Sequence, residues 1–478
     1  MQAALPVVVI GAGPVGLAAA AHVLERGLTP RVLEAGATAG AGMLRWAQVR
    51  MFSPWRYTLD RAARALLEAD GHWPAPDLEA FPTGGEVVER YLRPLAALPA
   101  IAPHLTTRAR VVAVSRQRRD RMKDVGRDAA PYVVRFIDAR GEHEILAQAV
   151  IDASGTIDTP NPLGASGLPA LGERGLQHRI EYGLPDVLGA LRSRYAGKRV
   201  LVLGSGHSAF NVLQDLARLA QQHPGTQIHW ALRRDSVARV LGGGEHDQLR
   251  ERGRLGQTIA ALLQRGALQA ATGFELERLE ATATGIVAHG AGRRLPPVDE
   301  IIGATGFRPR LDVLSEVRLG LDPGTQAPLA LAPLIDPNLH SCGSVRPHGA
   351  EELRHPDANL YIVGMKSYGR APTFLLLTGY EQVRSVVAAI AGDWDAARRV
   401  ELVLPETGVC ITQFADAEAP ATECCDVPVA AAETNTTDCI SAACAVPAIA
   451  PLRATSCCGT APAQLPRPLP ATPAACCR

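Results

Sequence analysis

Two glycine-rich turns and a set of paired cysteines are the residues of this chain whose types and spacing could do chemistry. The first turn is Gly11-Ala12-Gly13-Pro14-Val15-Gly16, and an acid, Glu34, follows it. Gly11 permits a tight turn, Gly13 lets a diphosphate approach the backbone, and Gly16 lets a helix pack closely on a strand. Free N–H groups at the start of that helix favour an anion. Glu34 lies about 18 residues past Gly16, where a carboxylate can accept from a ribose hydroxyl. The second turn is Gly204-Ser205-Gly206-His207-Ser208-Ala209, with Ala209 where a third glycine could stand. The strand after it ends in Arg233-Arg234 instead of an acid. An acid would repel a 2′-phosphate and a guanidinium pairs with it bidentately, so the Arg pair favours NADPH over NADH. The cysteines are Cys410, Cys424-Cys425, Cys439, Cys444, Cys457-Cys458 and Cys476-Cys477. Thiolates are soft ligands suited to Hg²⁺, Cu(I), Zn²⁺ or trivalent arsenic and antimony.

The elements around both turns have the order that dinucleotide binding requires. Val7–Ile10 reads as a buried parallel strand, an Ala/Leu-rich helix runs to about Gly27, and Arg31–Leu33 is the next strand. The second unit repeats the plan with strand Arg199–Leu203, a helix over 210–221 and strand Gln227–Leu232. After Glu34 a loop rich in glycine leads to Trp46, Phe52 and Trp55, which either pack in the core or wall a flat ring system. Helices are expected over 60–70 and 84–98. A strand over Thr107–Val114 would bring Val111 to the edge of an adenine. A hairpin over 132–138 and 142–147 leads to strand Ala149–Asp152, which ends in Ala153-Ser154-Gly155, small residues that permit close approach of a ligand. Strand Asp299–Ile302 runs into Ala304-Thr305-Gly306, and strand Leu360–Val363 ends in Gly364-Met365. A helix over 373–391 is placed to point its N-terminus at the ligand. The loop Gly242–Asp247 carries His246, either a substrate contact or a solvated loop residue.

The 478 residues have room for two or three domains. The net charge of +1 gives no sign of a nucleic-acid or anionic-membrane partner. Lys123, Lys198 and Lys366 are the only lysines among 49 basic Lys and Arg residues, so any single Arg is weak evidence of function. The apolar stretch from Ala3 to Ala21 lacks a basic leader and carries Pro6 and Pro14; a cytoplasmic, soluble protein is expected. Cys342 is the only cysteine before Cys410, which marks a reduced body and a different tail. Residues 412–478 are rich in Ala, Pro and Thr without apolar periodicity and read as disordered. The tail has neither His nor C-x-x-C spacing, which argues against a structural zinc finger. Cys424, Cys425, Cys457, Cys458, Cys476 and Cys477 are its candidate ligands for a thiophilic metal or metalloid ion.

Two Rossmann units, the second inserted into the first, together with Ala304-Thr305-Gly306, resemble the two-dinucleotide-binding-domain flavoproteins. Over residues 1–400 the chain most resembles flavin-containing monooxygenases and their N-hydroxylating relatives. That family's linker motif is F-x-G-x-x-x-H-x-x-x-Y. His178 and Tyr182 match its second half, while Gly172 and Arg174 stand at the Phe and Gly positions. The vicinal cysteines are similar to the C-terminal pair of mercuric reductases, and flavoproteins of this kind occur beside arsenic-resistance genes. The resemblance implies an α/β fold: an FAD-binding Rossmann-like domain (1–163 and 306–404) with an inserted NADPH-binding Rossmann-like domain (164–305) and a disordered Cys-rich C-terminal tail (405–478). It implies FAD held by Gly11, Gly13, Gly16, Glu34, Trp46, Val111, Gly155 and Gly364. NADPH falls to Gly204, Ser205, Gly206, Ser208, Arg233 and Arg234. The implied reaction passes hydride from NADPH to FAD, and a C4a-(hydro)peroxyflavin formed with O₂ oxygenates a small molecule at a soft N, S or metalloid centre. The alternatives are an NADPH-dependent disulfide or metal(loid) reductase using the tail thiols, and a metal(loid)-sequestering protein with a non-catalytic nucleotide domain.

Overall fold

Val7–Ile10 is apolar at every position, as befits a strand buried on both faces. The computed structural model describes residues 4–241, 250–339, 345–372 and 374–402, and places this strand at the centre of a five-stranded sheet. The order across the sheet is 360–362, 149–152, 7–10, 30–33, 105–106, and all neighbours are parallel. A second parallel sheet has the order 269–271, 227–231, 199–203, 300–303, 180–182. Every strand of the second sheet falls, along the chain, between strands 149–152 and 360–362 of the first. The second Rossmann-like unit is therefore inserted into the first, as expected. Two three-stranded antiparallel sheets, 110–147 and 276–294, complete the strand inventory among the described residues.

Parallel neighbours need crossover connections, and helices supply them. Helix Pro14–Glu25 opens with Pro at its first position, where the missing N–H costs nothing, and is buried from Pro14 to Val23. It packs on helices Arg61–Asp70 and Leu376–Ile390. A polar tie fixes its far end. The His22 ring lies 3.1 Å from both Asp60 and Glu25, and Arg61 also bonds Glu25. Burial disfavours the charged imidazole, but the two carboxylates outweigh it and raise the His22 pKa to about 9. The hydrogen bond from His22, with help from Arg61, lowers Glu25 to about 2.

Several expected elements differ in detail. The 84–98 helix runs as Gly84–Val87, a π-helical turn Val88–Leu92, and Arg93–Ala97, opened by a capping box between Thr83 and Glu86. The Thr107–Val114 strand is two strands. Leu105–Thr106 edges the first sheet, Arg108 turns the chain with φ 55°, and Arg110–Arg116 begins an antiparallel sheet. The helix after the second turn starts at His207, earlier than expected, with Gly206 at its N-cap position. The helix expected from 373 starts at Leu376. No helix of the described residues is long and apolar enough to cross a membrane.

Candidate functional site

The three glycines of the first turn do three different jobs. Gly11 has φ 98°, and a Cβ there would stand 2.9 Å from the Ala153 carbonyl oxygen and 3.1 Å from Ser154 Cα. The turn is thereby pressed against the end of the neighbouring strand. A Cβ on Gly16 would stand 2.0 Å from the Gly11 carbonyl oxygen, so Gly16 keeps helix and turn together. A Cβ on Gly13 would meet nothing within 4 Å. Gly13 faces the open side.

That open side is a cleft of about 630 Å³. Gly11, Gly13, Glu34, Trp46, Val111, Gly155 and Gly364 all line it; Gly16 lies behind the turn and packs. The Glu34 carboxylate accepts from the backbone N–H groups of Ala12 at 2.7 Å and Gly36 at 2.6 Å. It is thus fixed at the strand end, with lone pairs left for a further donor. Val111 reaches the cleft from the first antiparallel sheet.

The aromatic loop divides its residues. Trp46 lines the cleft, and Gly84 makes its seat: a Cβ there would be 2.7 Å from two Trp46 ring carbons. Trp55 is buried in the core. Phe52 packs edge-on against His207 of the second turn, with ring centroids 5.0 Å apart. The expected ring wall is therefore Trp46 alone among the three, because the loop carries Phe52 across to the second unit.

Gly364 has φ 69°, and its N–H is donated to Gln382 Oε1 at 2.7 Å. Its contribution to the cleft is contour, since that N–H is taken from behind. Gln382 Nε2 also bonds Ser367 Oγ and His348 Nε2, both at 2.9 Å, and Ser367 Oγ donates to the Gly364 carbonyl. Burial lowers the His348 pKa, and its Nδ1–H donates to the Arg346 carbonyl. This buried relay holds the Gly364–Tyr368 turn.

Beside it lies a cluster that the sequence did not single out. Lys366, 2% exposed, reaches Asp152 Oδ2 at 2.6 Å and Ser154 Oγ at 3.0 Å. Lys366 and Ser154 both line the cleft. The available signal was compositional, a lysine in a chain that otherwise uses Arg.

The second turn repeats the plan. Gly204 has φ 131° and abuts Ala304, where a Cβ would be 2.2 Å from the carbonyl oxygen. Trp230 Nε1 donates to the Gly204 carbonyl at 2.7 Å. Gly206, like Gly13, has open space where a Cβ would be. Ser205 and Ser208 are half-buried on the same turn and Ala209 is buried. Ala231 pairs with Leu203, so Arg233 and Arg234 follow the strand that runs beside this turn. Arg233 is exposed and bonds the Ala165 carbonyl at 3.3 Å; Arg234 is half-buried.

The linker residue Tyr182 is in register with Gly303, which pairs with Leu203 before the second turn. His178 is exposed, and Tyr182 donates to Glu173 at 2.7 Å. Glu173 also accepts from the backbone of Leu163 and Ala170. The Gly242–Asp247 loop with His246, and all the cysteines including the six candidate ligands, lie outside the described residues. No cluster of metal-ligating side chains occurs among the described residues.

Two glycine turns stand at the ends of two nested parallel sheets. The chain belongs to the pyridine nucleotide-disulphide oxidoreductase family, whose pattern it matches over residues 8–330. Comparison with curated proteins found no match. Among solved structures it is similar to the bacillithiol disulfide reductase Bdr (YpdA) of Bacillus cereus, with TM-score 0.60 and 17% identity over 81% of this chain and 99% of that one. It is similar to DfoA, the desferrioxamine-pathway cadaverine monooxygenase of Erwinia amylovora, solved with FAD (TM-score 0.56, 16% identity, 84% and 99% covered). It is also similar to a flavin monooxygenase of Stenotrophomonas maltophilia, solved as a mutant (TM-score 0.54, 22% identity, 81% and 98% covered). These likenesses bear out the expected two-dinucleotide-binding flavoprotein fold.

Proposed function

We propose that the protein is an FAD-dependent NADPH oxidoreductase that oxygenates a soft N, S or metalloid centre of a small molecule, using O₂. The observation that carries this reading is the gathering of Gly11, Gly13, Glu34, Trp46, Val111, Gly155 and Gly364 around one cleft. The residues fit FAD. An open glycine and a helix N-terminus suit its diphosphate, an anchored carboxylate suits a ribose, and Trp46 offers a flat apolar face. When bound, the flavin supplies the redox chemistry; the protein holds it, presents the nicotinamide and excludes water. In this reading Arg233 and Arg234 take the 2′-phosphate of NADPH at the second turn. The domains divide at 163, 305 and 404.

The choice of acceptor rests on cysteine placement. Residues 1–341 contain no cysteine, so that part of the chain offers no dithiol to receive electrons. Oxygen is then the favoured acceptor. The second reading, a disulfide or metal(loid) reductase, requires the tail cysteines, and it is favoured by nine of the ten cysteines falling after residue 409. There, Cys424, Cys425, Cys457, Cys458, Cys476 and Cys477 would capture a thiophilic ion. In a third reading the tail sequesters that ion and the nucleotide units are not catalytic. Measuring NADPH and O₂ consumption over amines, sulfides and arsenite separates the three. Full-length protein and a chain ending at Thr407 should both consume NADPH and O₂ with a substrate of the panel. Stimulation by trivalent arsenic or Hg²⁺ that vanishes on truncation would support the tail reductase. Absence of NADPH oxidation with every substrate, in protein loaded with FAD, would overturn both enzyme readings.

A further inference from the structure

Asp152 ends the strand that runs between Val7–Ile10 and Leu360–Ile362, in register with Ile10 and Ile362. Its carboxylate is fully buried. Oδ1 accepts from the Ser154 N–H at 3.0 Å and from the Ser154 hydroxyl at 2.6 Å. Oδ2 takes the Lys366 ammonium at 2.6 Å, and that ammonium also donates to Ser154 Oγ at 3.0 Å. Two of the three ammonium N–H groups are used, and the third has no protein partner among the described residues. Removing two charges from water commonly costs as much as their pairing returns, so a pair of apolar side chains would hold this strand end equally well. The pair's place is what distinguishes it. Ser154 Cα is one of the atoms against which Gly11 packs, and Ser154, Lys366 and Gly13 line the same cleft. The residue type is distinctive too. Among 49 Lys and Arg residues only three are Lys, and this one supplies a compact ammonium with tetrahedral donors where a planar guanidinium is this chain's usual cation.

We propose that Lys366 binds the diphosphate of the dinucleotide in the first cleft through its third N–H. Asp152 and Ser154 are the positioning residues that aim it. The proposal rests on the FAD reading of the cleft. The helix N-terminus beside Gly13 has neither an acidic side chain nor a side-chain cap in its first turn. Lys366 adds an ammonium donor to the partial charge of that helix end.

The test is titration of FAD into apoprotein, read by quenching of flavin fluorescence, together with the ³¹P resonances of the bound cofactor. Lys366→Met leaves the Asp152 carboxylate buried and alone, which invites misfolding, so Lys366→Met/Asp152→Asn is made beside it. The double variant should melt as apoprotein within a few degrees of wild type, bind FAD at least tenfold more weakly, and shift the ³¹P resonances of the FAD it does bind. Lys366→Arg should keep the charge and still move those resonances. FAD affinity within threefold of wild type with unmoved resonances would overturn the proposal. So would a loss of affinity matched by collapse of the apoprotein melt, with resonances unmoved in the FAD that remains bound, which marks a purely structural pair. Failure of the wild-type protein itself to bind FAD would overturn the cofactor reading instead.

Discussion

Replacing Gly13 by Asp sets two effects of known sign against each other. Gly13 is the N-cap of helix Pro14–Glu25, has extended backbone, and has nothing within 4 Å of where a Cβ would stand. Asp is a better N-cap than Gly, so the apoprotein should gain a few tenths of a kcal/mol. The same carboxylate projects toward the diphosphate. At about 4 Å and an effective dielectric of about 20, repulsion by one phosphate charge is about 4 kcal/mol, or roughly a thousandfold in Kd. Gly16→Ala should do the reverse. Its Cβ would stand 2.0 Å from the Gly11 carbonyl oxygen, so helix and turn must separate by more than about 1 Å. Overpacking of that kind costs about 1–3 kcal/mol, or about 1–3 °C in Tm for a chain of this size. Differential scanning fluorimetry of the apoproteins and fluorescence titration with FAD read both quantities. Two results would contradict these roles: Gly13→Asp binding FAD within tenfold of wild type, or Gly13→Asp melting several degrees lower while Gly16→Ala melts like wild type.

Three further outcomes follow from other parts of the structure. Arg233→Ala/Arg234→Ala should raise KM for NADPH at least tenfold more than KM for NADH, since a charge-assisted phosphate contact contributes about 1.5–3 kcal/mol; equal effects on the two coenzymes would place the pair away from the 2′-phosphate. His22 has a folded pKa of about 9 against an unfolded 6.5, so its contribution, about 3 kcal/mol at most, is fully present below pH 6.5 and is lost as pH rises through 9. Urea unfolding across that window should show the loss in wild type and a flatter profile in His22→Gln. Gly84→Ala should push the Trp46 ring from its seat and weaken FAD about threefold to tenfold, the range an aromatic contact supplies, with a change in tryptophan emission that an unmoved ring would not show.

The parts legible in the sequence are those whose cause is local. A run of apolar residues, a glycine turn and an acid about 18 residues on state one βαβ unit within forty or so positions, and the second unit repeats the run and the turn with Arg233-Arg234 in place of the acid. Both lie where expected. What was not legible depends on contacts between distant segments. Trp46 and Trp55 read alike in one loop, and only the packing of Gly84 and the core separates them. Arg108 has a left-handed backbone that nothing in its residue type announces, so two strands read as one. Lys366 and Asp152 are 214 residues apart, and Gln382 reaches Gly364 from the next helix. Each was visible as a residue and not as a partner.

If the two turns hold FAD and NADPH as proposed, hydride passes between the two cofactors. Anaerobic mixing of the purified, FAD-loaded protein with NADPH tests it most directly, followed by the flavin's visible absorption. The protein should be yellow, and its flavin band should bleach with NADPH at lower concentration than with NADH and return when oxygen is admitted. A protein that takes up no FAD, or one whose bound flavin neither coenzyme bleaches, would contradict it.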